Sequence, residues 1–335
     1  MSVKDKLQIM IVTFNRDLYL KRTLEQLVNS PISDCDITIF DNKSSDKTKD
    51  VFLEFSSKFE NLKYVKNSFN VGANANIVKA MESATKEYYW ILGDDDFYDF
   101  KDWQKVEDAI NNGEKVISIF KPEVYKSGLP ALIQCSTFVA ANIVSTSLLS
   151  NTVITNAHYT THTLFPHLAP IISHINHGGN IFASNSRIVY DDFEQRGESS
   201  YLRGYASDEI FYANMSWITG FALVVSNLKD KNLRADTLKF AMNYMYGGTY
   251  KCLKGLAENY KSLDDIGLLA VLAVREFKYP ILSIIFNIIG IKYLLLTPLF
   301  NVMNFIFSLK KDYSHTILTI FGIKIKLKGT KDENR

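Results

Sequence analysis

Three short apolar runs in the first hundred residues each stop abruptly at a polar cluster. Leu7–Thr13 ends in Phe14-Asn15-Arg16, Asp36–Phe40 ends in Asp41-Asn42, and Tyr88–Leu92 ends in Gly93-Asp94-Asp95-Asp96. Each run has strand length, and the segments between them carry apolar residues at helical spacing. Leu20, Leu24 and Leu27 predict a helix over residues 17–29. Val51, Phe52, Phe55 and Phe59 predict another, which Ser44 or Ser45 is expected to cap. Leu62–Val65 is a further strand, Asn70-Val71-Gly72 a turn, and residues 75–84 a helix. Strand-helix alternation of this kind predicts an α/β fold with a mostly parallel central sheet flanked by helices. Ligands of such sheets bind outside the carboxyl ends of the strands, where the three polar clusters fall. Asn and Asp favour turns in any case, so Asn15 or Asn42 alone says little. Three consecutive carboxylates say more, because they repel one another unless a cation offsets them.

Composition narrows the alternatives. A chain of 335 residues with 47% hydrophobic positions and a net charge of +2 is globular, and disorder is excluded as its main state. Cys35, Cys135 and Cys252 are widely spaced without a CxxC pair, which excludes a disulfide scaffold and suits a reducing compartment. GxGxxG, GxxxxGK(S/T) and HExxH motifs are absent, against dinucleotide, P-loop and zinc-protease readings. Charge is uneven: residues 1–274 hold 28 Lys+Arg against 32 Asp+Glu, and residues 275–335 hold 10 against 4. A basic tail is not the basic face of a nucleic-acid binder, so no nucleic acid is expected as a partner. The first residues lack the apolar core and cleavage site of a signal peptide, and the catalytic part is expected in the cytoplasm.

Beyond residue 115 the pattern loosens. Val116–Phe120 reads as a strand, Leu132–Val144 mixes strand-like and polar residues, and residues 155–182 read as loop-rich with five of the six histidines. His158 and His162 stand four apart, but without partner cysteines a structural zinc site is disfavoured. Ile210–Trp217 and residues 236–277 are expected to be helical. Trp103 and Trp217 offer faces for sugar stacking, or simply core. From Tyr279 to Leu309, 21 of 31 residues are apolar and Lys292 is the only charge. The uncharged stretches are too short to span a bilayer, so an interfacial helix pair is expected, with a packed internal hairpin as the other reading. Thr316–Lys328 alternates as one strand with Lys324, Lys326 and Lys328 on one face, suited to anionic headgroups or to a protected edge. The expected organisation is a catalytic domain over 1–225, a helical extension over 226–278 and an apolar, basic membrane-associating tail over 279–335.

A run of carboxylates at a strand end is a hard oxygen site suited to Mg2+ or Mn2+, with phosphate oxygens completing the shell. In an extended segment the side chains at i and i+2 share a side, so Asp94 and Asp96 are expected to converge on one ion. Asp95 then faces elsewhere, toward a ribose for example.

The segments IMIVTFNR, IFDNKSSDKT, NSFNVGANAN and WILGDDDF, in this order and spacing, resemble the nucleotide-sugar domain of family 2 glycosyltransferases of the GT-A fold. The resemblance is strongest over residues 7–100 and extends more weakly to about residue 225. It implies inverting transfer from a nucleoside-diphosphate sugar, with a divalent cation at the aspartate motif. It also implies that Thr13, Phe14, Asn15 and Arg16 line the nucleotide pocket, that Asp41 accepts a hydrogen bond from the base, and that Asn70 to Asn74 wall the ribose and sugar. Asp94 and Asp96 match the outer carboxylates of the family's metal motif. Many relatives have an aspartate where this chain has Gly93, an alignment that moves a metal ligand to Asp95. The family's general base is the second residue of a Glu-Asp pair. Tyr205-Ala206-Ser207-Asp208-Glu209-Ile210-Phe211 occupies that place, with Ser207 for the glutamate, which makes Asp208 the expected base and Glu209 the outside candidate.

The expected function is therefore a metal-dependent glycosyltransferase, peripheral on the inner face of the cell membrane. Its donor is a UDP-sugar by preference, and its acceptor a lipid-linked surface saccharide. A polyprenyl-phosphate sugar transferase, a nucleotidyltransferase and an inactive nucleotide-sugar-binding scaffold are the competing readings. True spanning helices would favour the first, a glycine- and Lys/Arg-rich phosphate loop the second, and a decayed acid motif the third.

Overall fold

Strand β1 (Leu7–Thr13) is buried except at the half-buried Val12, as a strand covered on both faces must be. The computed structural model describes residues 2–191, 217, 220–246, 307–312, 315–320 and 323–328. Leu7, Ile9 and Ile11 share a core with Leu20, Leu24 and Leu27 of α2 (Asp17–Val28), and Met10 is also buried. On α4 (Ala73–Glu82), which packs against β1, Ile77, Val78, Ala80 and Met81 are buried. Truncating one of these central leucines to Ala should cost about 2–5 kcal/mol.

The principal sheet adds β2 (Asp36–Asp41), β3 (Leu62–Lys66), β4 (Tyr88–Leu92), β6 (Val116–Ser118), β7 (Asn142–Ser145) and β8 (Phe182–Ala183), in the order β3-β2-β1-β4-β7-β6-β8. Pairs β3–β2, β2–β1, β1–β4 and β6–β8 are parallel, while β7 runs antiparallel to both β4 and β6. The expected mostly parallel sheet is thus present, and β4 and β6 point the same way. Their carboxyl ends, with those of β1 and β2, form one edge. In the ladder Ile11 pairs with Leu92 and Thr13 with Asp41, which brings Thr13 level with Asp94. A second, two-stranded sheet pairs β5 (Phe97–Tyr98) with β9 (Val189–Tyr190) antiparallel, Phe97 opposite Tyr190. That pairing brings Asp191 level with Asp96.

Helices α1 (Val3–Lys6), α3 (Thr48–Phe55), α5 (Trp103–Asn111), α6 (Leu129–Cys135), α7 (Asn151–Tyr159), α8 (Ala169–Asn176) and α9 (Lys231–Tyr246) belong to the first of two compact units, Met1–Leu253. Within it α9 packs against α6. The second unit, Lys254–Arg335, contains three antiparallel strands, β10 (Phe307–Asp312), β11 (His315–Ile320) and β12 (Ile323–Lys328).

Several expectations are corrected. Residues 155–182 are not mainly loop: α7 starts at Asn151 with the Ser150 hydroxyl accepting from the Val153 amide, and α8 follows. Leu132–Val144 is a helix end followed by a strand. Neither Ser44 nor Ser45 caps α3, since Asp46 Oδ1 accepts from the Thr48 amide at 3.0 Å and its hydroxyl at 2.6 Å. Thr316–Lys328 is two strands rather than one, which pair antiparallel with Ile320 opposite Ile323. Phe307–Leu309 is strand, not the end of a helix. The rest of the apolar 279–306 stretch, the helix expected over 210–216 and residues 247–277 lie outside the described residues. Among the described residues, no helix is long and apolar enough to cross a membrane.

Candidate active site

The acidic loop after β4 is held from two sides. Thr13, at the end of β1, donates its hydroxyl to Asp94 Oδ2 at 2.6 Å. Helix α2 lies across the loop, and residues on one face of it meet successive backbone carbonyls. Thr23 Oγ1 donates to the Asp94 carbonyl at 2.9 Å, Gln26 Nε2 to the Asp96 carbonyl at 3.0 Å, and Arg22 to the Asp95 carbonyl. Gln26 also accepts from the Tyr98 amide at 3.0 Å, so one side chain spans the loop exit. The helix residues Arg22, Thr23 and Gln26 escape sequence reasoning, since only tertiary placement gives them work.

Arg16 is the counter-charge. Its guanidinium meets Asp94 Oδ1 at 3.0 Å and Asp95 Oδ2 at 2.6 Å, and stacks on the Tyr19 ring at 4.4 Å. Burial pulls Arg16 down, but the two carboxylates outweigh it and hold its pKa above the ordinary value. Burial pushes Asp94 up to about 6 despite Arg16 and the Thr13 hydroxyl. Asp96 is pushed well above the carboxylate range, first by burial and then by the charges of Asp95, Asp191 and Asp94. The cluster holds more buried negative charge than Arg16 alone offsets.

A methyl group on Gly93 would stand 3.0 Å from Asp96 Oδ2 and 3.1 Å from Asp95 Oδ1. These two oxygens therefore close on one small space above the glycine, while Asp94 is turned to Thr13 and Arg16. No cluster of three protein ligands gathers among the described residues. The donor set still fits a hard divalent cation, which ordinarily takes one or two carboxylates and completes its shell with phosphate oxygens and water. Asp95 and Asp96 are the residues placed to share one.

Beside the acid loop lies a cavity of about 340 Å3, within the size range of small-molecule sites. Thr13, Phe14, Arg16, Asn42, Asn70, Gly72, Asp94 and Asp95 lie on its wall. Asp41 does not: it is fully buried, with its carboxylate accepting from the Ser44 amide at 2.7 Å and from the Tyr64 hydroxyl. Its neighbour Asn42 is the one that faces the cavity. Asn15, at φ 51°, ties the β1 loop to the β2 loop, accepting from the Ser45 amide at 2.7 Å while its own amide donates to Ser44 Oγ. Asn74 is off the wall as well, donating to the Thr161 carbonyl at 2.9 Å.

An amide network shapes this wall. Asn42 donates to Asn70 Oδ1 at 2.7 Å and accepts from Asn67 at 3.0 Å, and Asn67 also donates to Asn76 Oδ1 at 2.9 Å. Asn70 Oδ1 accepts again from the Gly72 amide, where φ of 84° begins α4 in a conformation that favours glycine. Asn67 and Asn76 were not anticipated individually, although the asparagine density of NSFNVGANAN is their signal. Of the histidines, His158 pairs with Glu82 at 2.8 Å and His167 is buried with Nε2 donating to the Ser136 carbonyl at 3.1 Å. Trp103 stacks on Trp90 in the core. Asp208 and Glu209 lie outside the described residues.

A profile described as glycosyl transferase family 2 matches residues 8–184, just over half of the chain. The chain is 32% identical over 92 residues to a GalNAc(5)-diNAcBac-PP-undecaprenol β-1,3-glucosyltransferase of Campylobacter jejuni, covering 27% of this chain and 30% of that one. It is 33% identical over 89 residues to the abequosyltransferase of Salmonella typhimurium, covering 26% and 27%. The matches thus span about a third or less of these relatives. Among solved structures, S. aureus TarS 1-349 in complex with UDP superposes with a TM-score of 0.57 at 15% identity, covering 96% of this chain and 98% of that one. A mannosyltransferase of Pyrobaculum calidifontis in complex with GDP-Man and Mn2+ gives 0.53 at 14%, covering 86% and 87%. The likeness to these structures is one of fold, the GT-A arrangement, and with the matching profile it leads to one conclusion: the chain belongs to glycosyl transferase family 2.

Proposed function

We propose that the chain transfers a sugar from a nucleoside-diphosphate donor, a UDP-sugar by preference, to a hydroxyl of a lipid-linked surface oligo- or polysaccharide, with inversion. The observation that carries this reading is the cavity in which Thr13, Asn42 and Asn70 meet Asp94 and Asp95 at the carboxyl edge of the sheet. In inverting transfer the acceptor oxygen attacks the anomeric carbon as the bond to the diphosphate breaks, and a base takes the acceptor proton. Asp208 is assigned that base. A bound Mg2+ or Mn2+ at the Asp94–Asp96 run would supply positive charge where the leaving diphosphate becomes more negative. The UDP in the TarS structure and the Mn2+ in the mannosyltransferase support the donor and cation. The undecaprenol-linked substrate in the C. jejuni relative's name supports a lipid-linked acceptor. The basic, apolar tail is assigned to the inner membrane surface, and deleting 279–335 should release the protein from anionic liposomes.

The test is thermal stability against UDP, GDP, CDP, dTDP and CMP, each with and without Mn2+. A ligand at 100 times its dissociation constant stabilises by about 2.7 kcal/mol, a shift of a few degrees. A Mn2+-dependent shift with one diphosphate is the expected result. Asp96→Asn should weaken that binding, and Asp208→Asn should spare it while abolishing turnover. Equal binding loss in both variants, or no shift with any nucleotide, overturns the assignment.

A further inference from the structure

The cavity beside the acid loop is walled in part by asparagine amides whose direction is fixed from behind. Asn42, Asn70 and Asn76 lie on its wall, whereas Asn67 and Lys79 do not. An asparagine amide fits either way round, oxygen and nitrogen exchanged, unless a neighbour of fixed role selects one. Each of these four amides has such a neighbour. The Val71 amide donates to Asn42 Oδ1 and the Gly72 amide to Asn70 Oδ1, both at 2.9 Å. Asn76 Nδ2 donates to the Phe40 carbonyl at 2.9 Å, which leaves Asn76 Oδ1 to accept. Asn67 Oδ1 accepts from the Lys79 ammonium, which can only donate.

Asn67 joins these anchored amides. It is buried, and its Nδ2 donates one hydrogen to Asn42 Oδ1 at 3.0 Å and the other to Asn76 Oδ1 at 2.9 Å. Asn42 Nδ2 donates in turn to Asn70 Oδ1 at 2.7 Å. Turning Asn67 round would set its N–H groups against the Lys79 ammonium and its oxygen against two carbonyl oxygens. The bonds therefore run in one direction, from Lys79 through Asn67 and Asn42 to Asn70. At the far end Asn70 Oδ1 is filled twice, and the exposed Asn70 Nδ2 has no partner among the described residues. The Asn70 side chain thus offers the cavity donors and no acceptor.

Resting on the transferase reading above, we propose that Asn67 is a positioning residue for the donor. Backed by Lys79, it fixes the amides of Asn42 and Asn70 so that Asn70 turns its N–H groups, not its carbonyl, to the ligand. The ligand atom that meets Asn70 is then an acceptor oxygen of the base, the ribose or the diphosphate.

Asn67→Asp tests this, because it keeps the shape, removes both donors and leaves Lys79 to pair with the new carboxylate. The second carboxylate oxygen would face Asn42 Oδ1 and Asn76 Oδ1, so the Asn42 amide must turn or withdraw. Affinity for UDP with Mg2+, read by calorimetry, should fall about tenfold. A merely structural role would lower the melting temperature alone. The second readout is therefore the side-chain amide spectrum of protein carrying isotope-labelled asparagine, with diamagnetic Mg2+ as the cation. Asn70→Asp identifies the Asn70 cross-peaks by their loss. In the unliganded parent the Asn70 amide protons should exchange with water faster than those of Asn67, and UDP should shift them. In Asn67→Asp at saturating UDP they should stay near their free positions. Uridine sorts the source of the oxygen: a shift with uridine assigns base or ribose, and a shift with UDP alone assigns the diphosphate. Asn70 protons as protected as those of Asn67 overturn the proposal, as does parent-like affinity and shift in Asn67→Asp. If that variant does not fold, the parent's exchange rates and UDP shift decide. UDP that binds without moving the Asn70 peaks overturns the proposal and leaves the transferase reading standing. A chain that binds no nucleoside diphosphate sinks that reading, and the role of Asn67 with it.

Discussion

Thr13 and Asp94 are 81 positions apart in sequence, yet the Thr13 hydroxyl donates to Asp94 Oδ2 at 2.6 Å. The register of β1 on β4 makes this bond, since Ile11 pairs with Leu92 and the chain runs two residues further from each, to Thr13 at the end of β1 and to Asp94 in the loop after β4. Asp94 is buried, and among the described residues its carboxylate has this hydroxyl and Arg16 as its side-chain partners. Thr13→Val keeps the volume and removes the donor. It should cost about 1.5–3 kcal/mol of unfolding free energy and weaken UDP binding with Mn2+ about tenfold. Denaturant titration and calorimetry read the two effects, and parent-like values in both would remove Thr13 from the site.

A cation held by Asp95 and Asp96 would share Asp95 with Arg16. Its guanidinium already neutralises Asp94 and Asp95 at 3.0 and 2.6 Å. Arg16→Gln leaves the negative cluster uncompensated, so Mn2+ alone, without nucleotide, should bind about tenfold more tightly. The same variant should melt at lower temperature without metal and recover more degrees on adding Mn2+ than the parent does. Calorimetry that finds unchanged Mn2+ affinity would show that the arginine and the cation do not share ligands.

Gly93 leaves the space on which Asp95 Oδ1 and Asp96 Oδ2 close. Gly93→Ala places a methyl 3.1 and 3.0 Å from those oxygens. Both are ends of side chains, which can give way, so the fold should survive with a melting temperature close to the parent's. The carboxylates must move, however, and Mn2+-dependent diphosphate binding should fall severalfold. A variant that binds Mn2+ and UDP like the parent would place the cation away from this pair.

The sequence announced the sheet edge well and its supports poorly. Strands buried on both faces leave continuous apolar runs, and β1, β2 and β4 read plainly for that reason. Three adjacent aspartates stand out because their repulsion needs an explanation. Thr23 and Gln26 give no such sign: they look like ordinary helix residues until α2 is laid across the loop. Asp191 depends on a two-residue ladder too short to leave a pattern. Helices α7 and α8 were hidden by Thr, Asn and His, because short helices draw their stability from packing rather than from propensity.

His167 couples stability to pH. It is buried, its Nε2 donates to the Ser136 carbonyl at 3.1 Å, and Nδ1 has no hydrogen-bond partner among the described residues. Burial pushes its pKa from 6.5 down to about 4, against the pull of the Ser136 and Thr137 backbone. The unfolded chain therefore takes up a proton here as pH falls through 6.5, while the folded chain stays neutral until about 4. Folded-state stability tied to this residue is full above pH 6.5 and is lost progressively between 6.5 and 4, by about 3 kcal/mol. His167→Leu removes the titration and keeps an apolar side chain of similar size in the site. Urea unfolding from pH 7.5 to 4 should show the parent losing that much more stability than the variant. Parallel curves would mean that His167 takes up its proton in the folded protein as readily as in the unfolded chain.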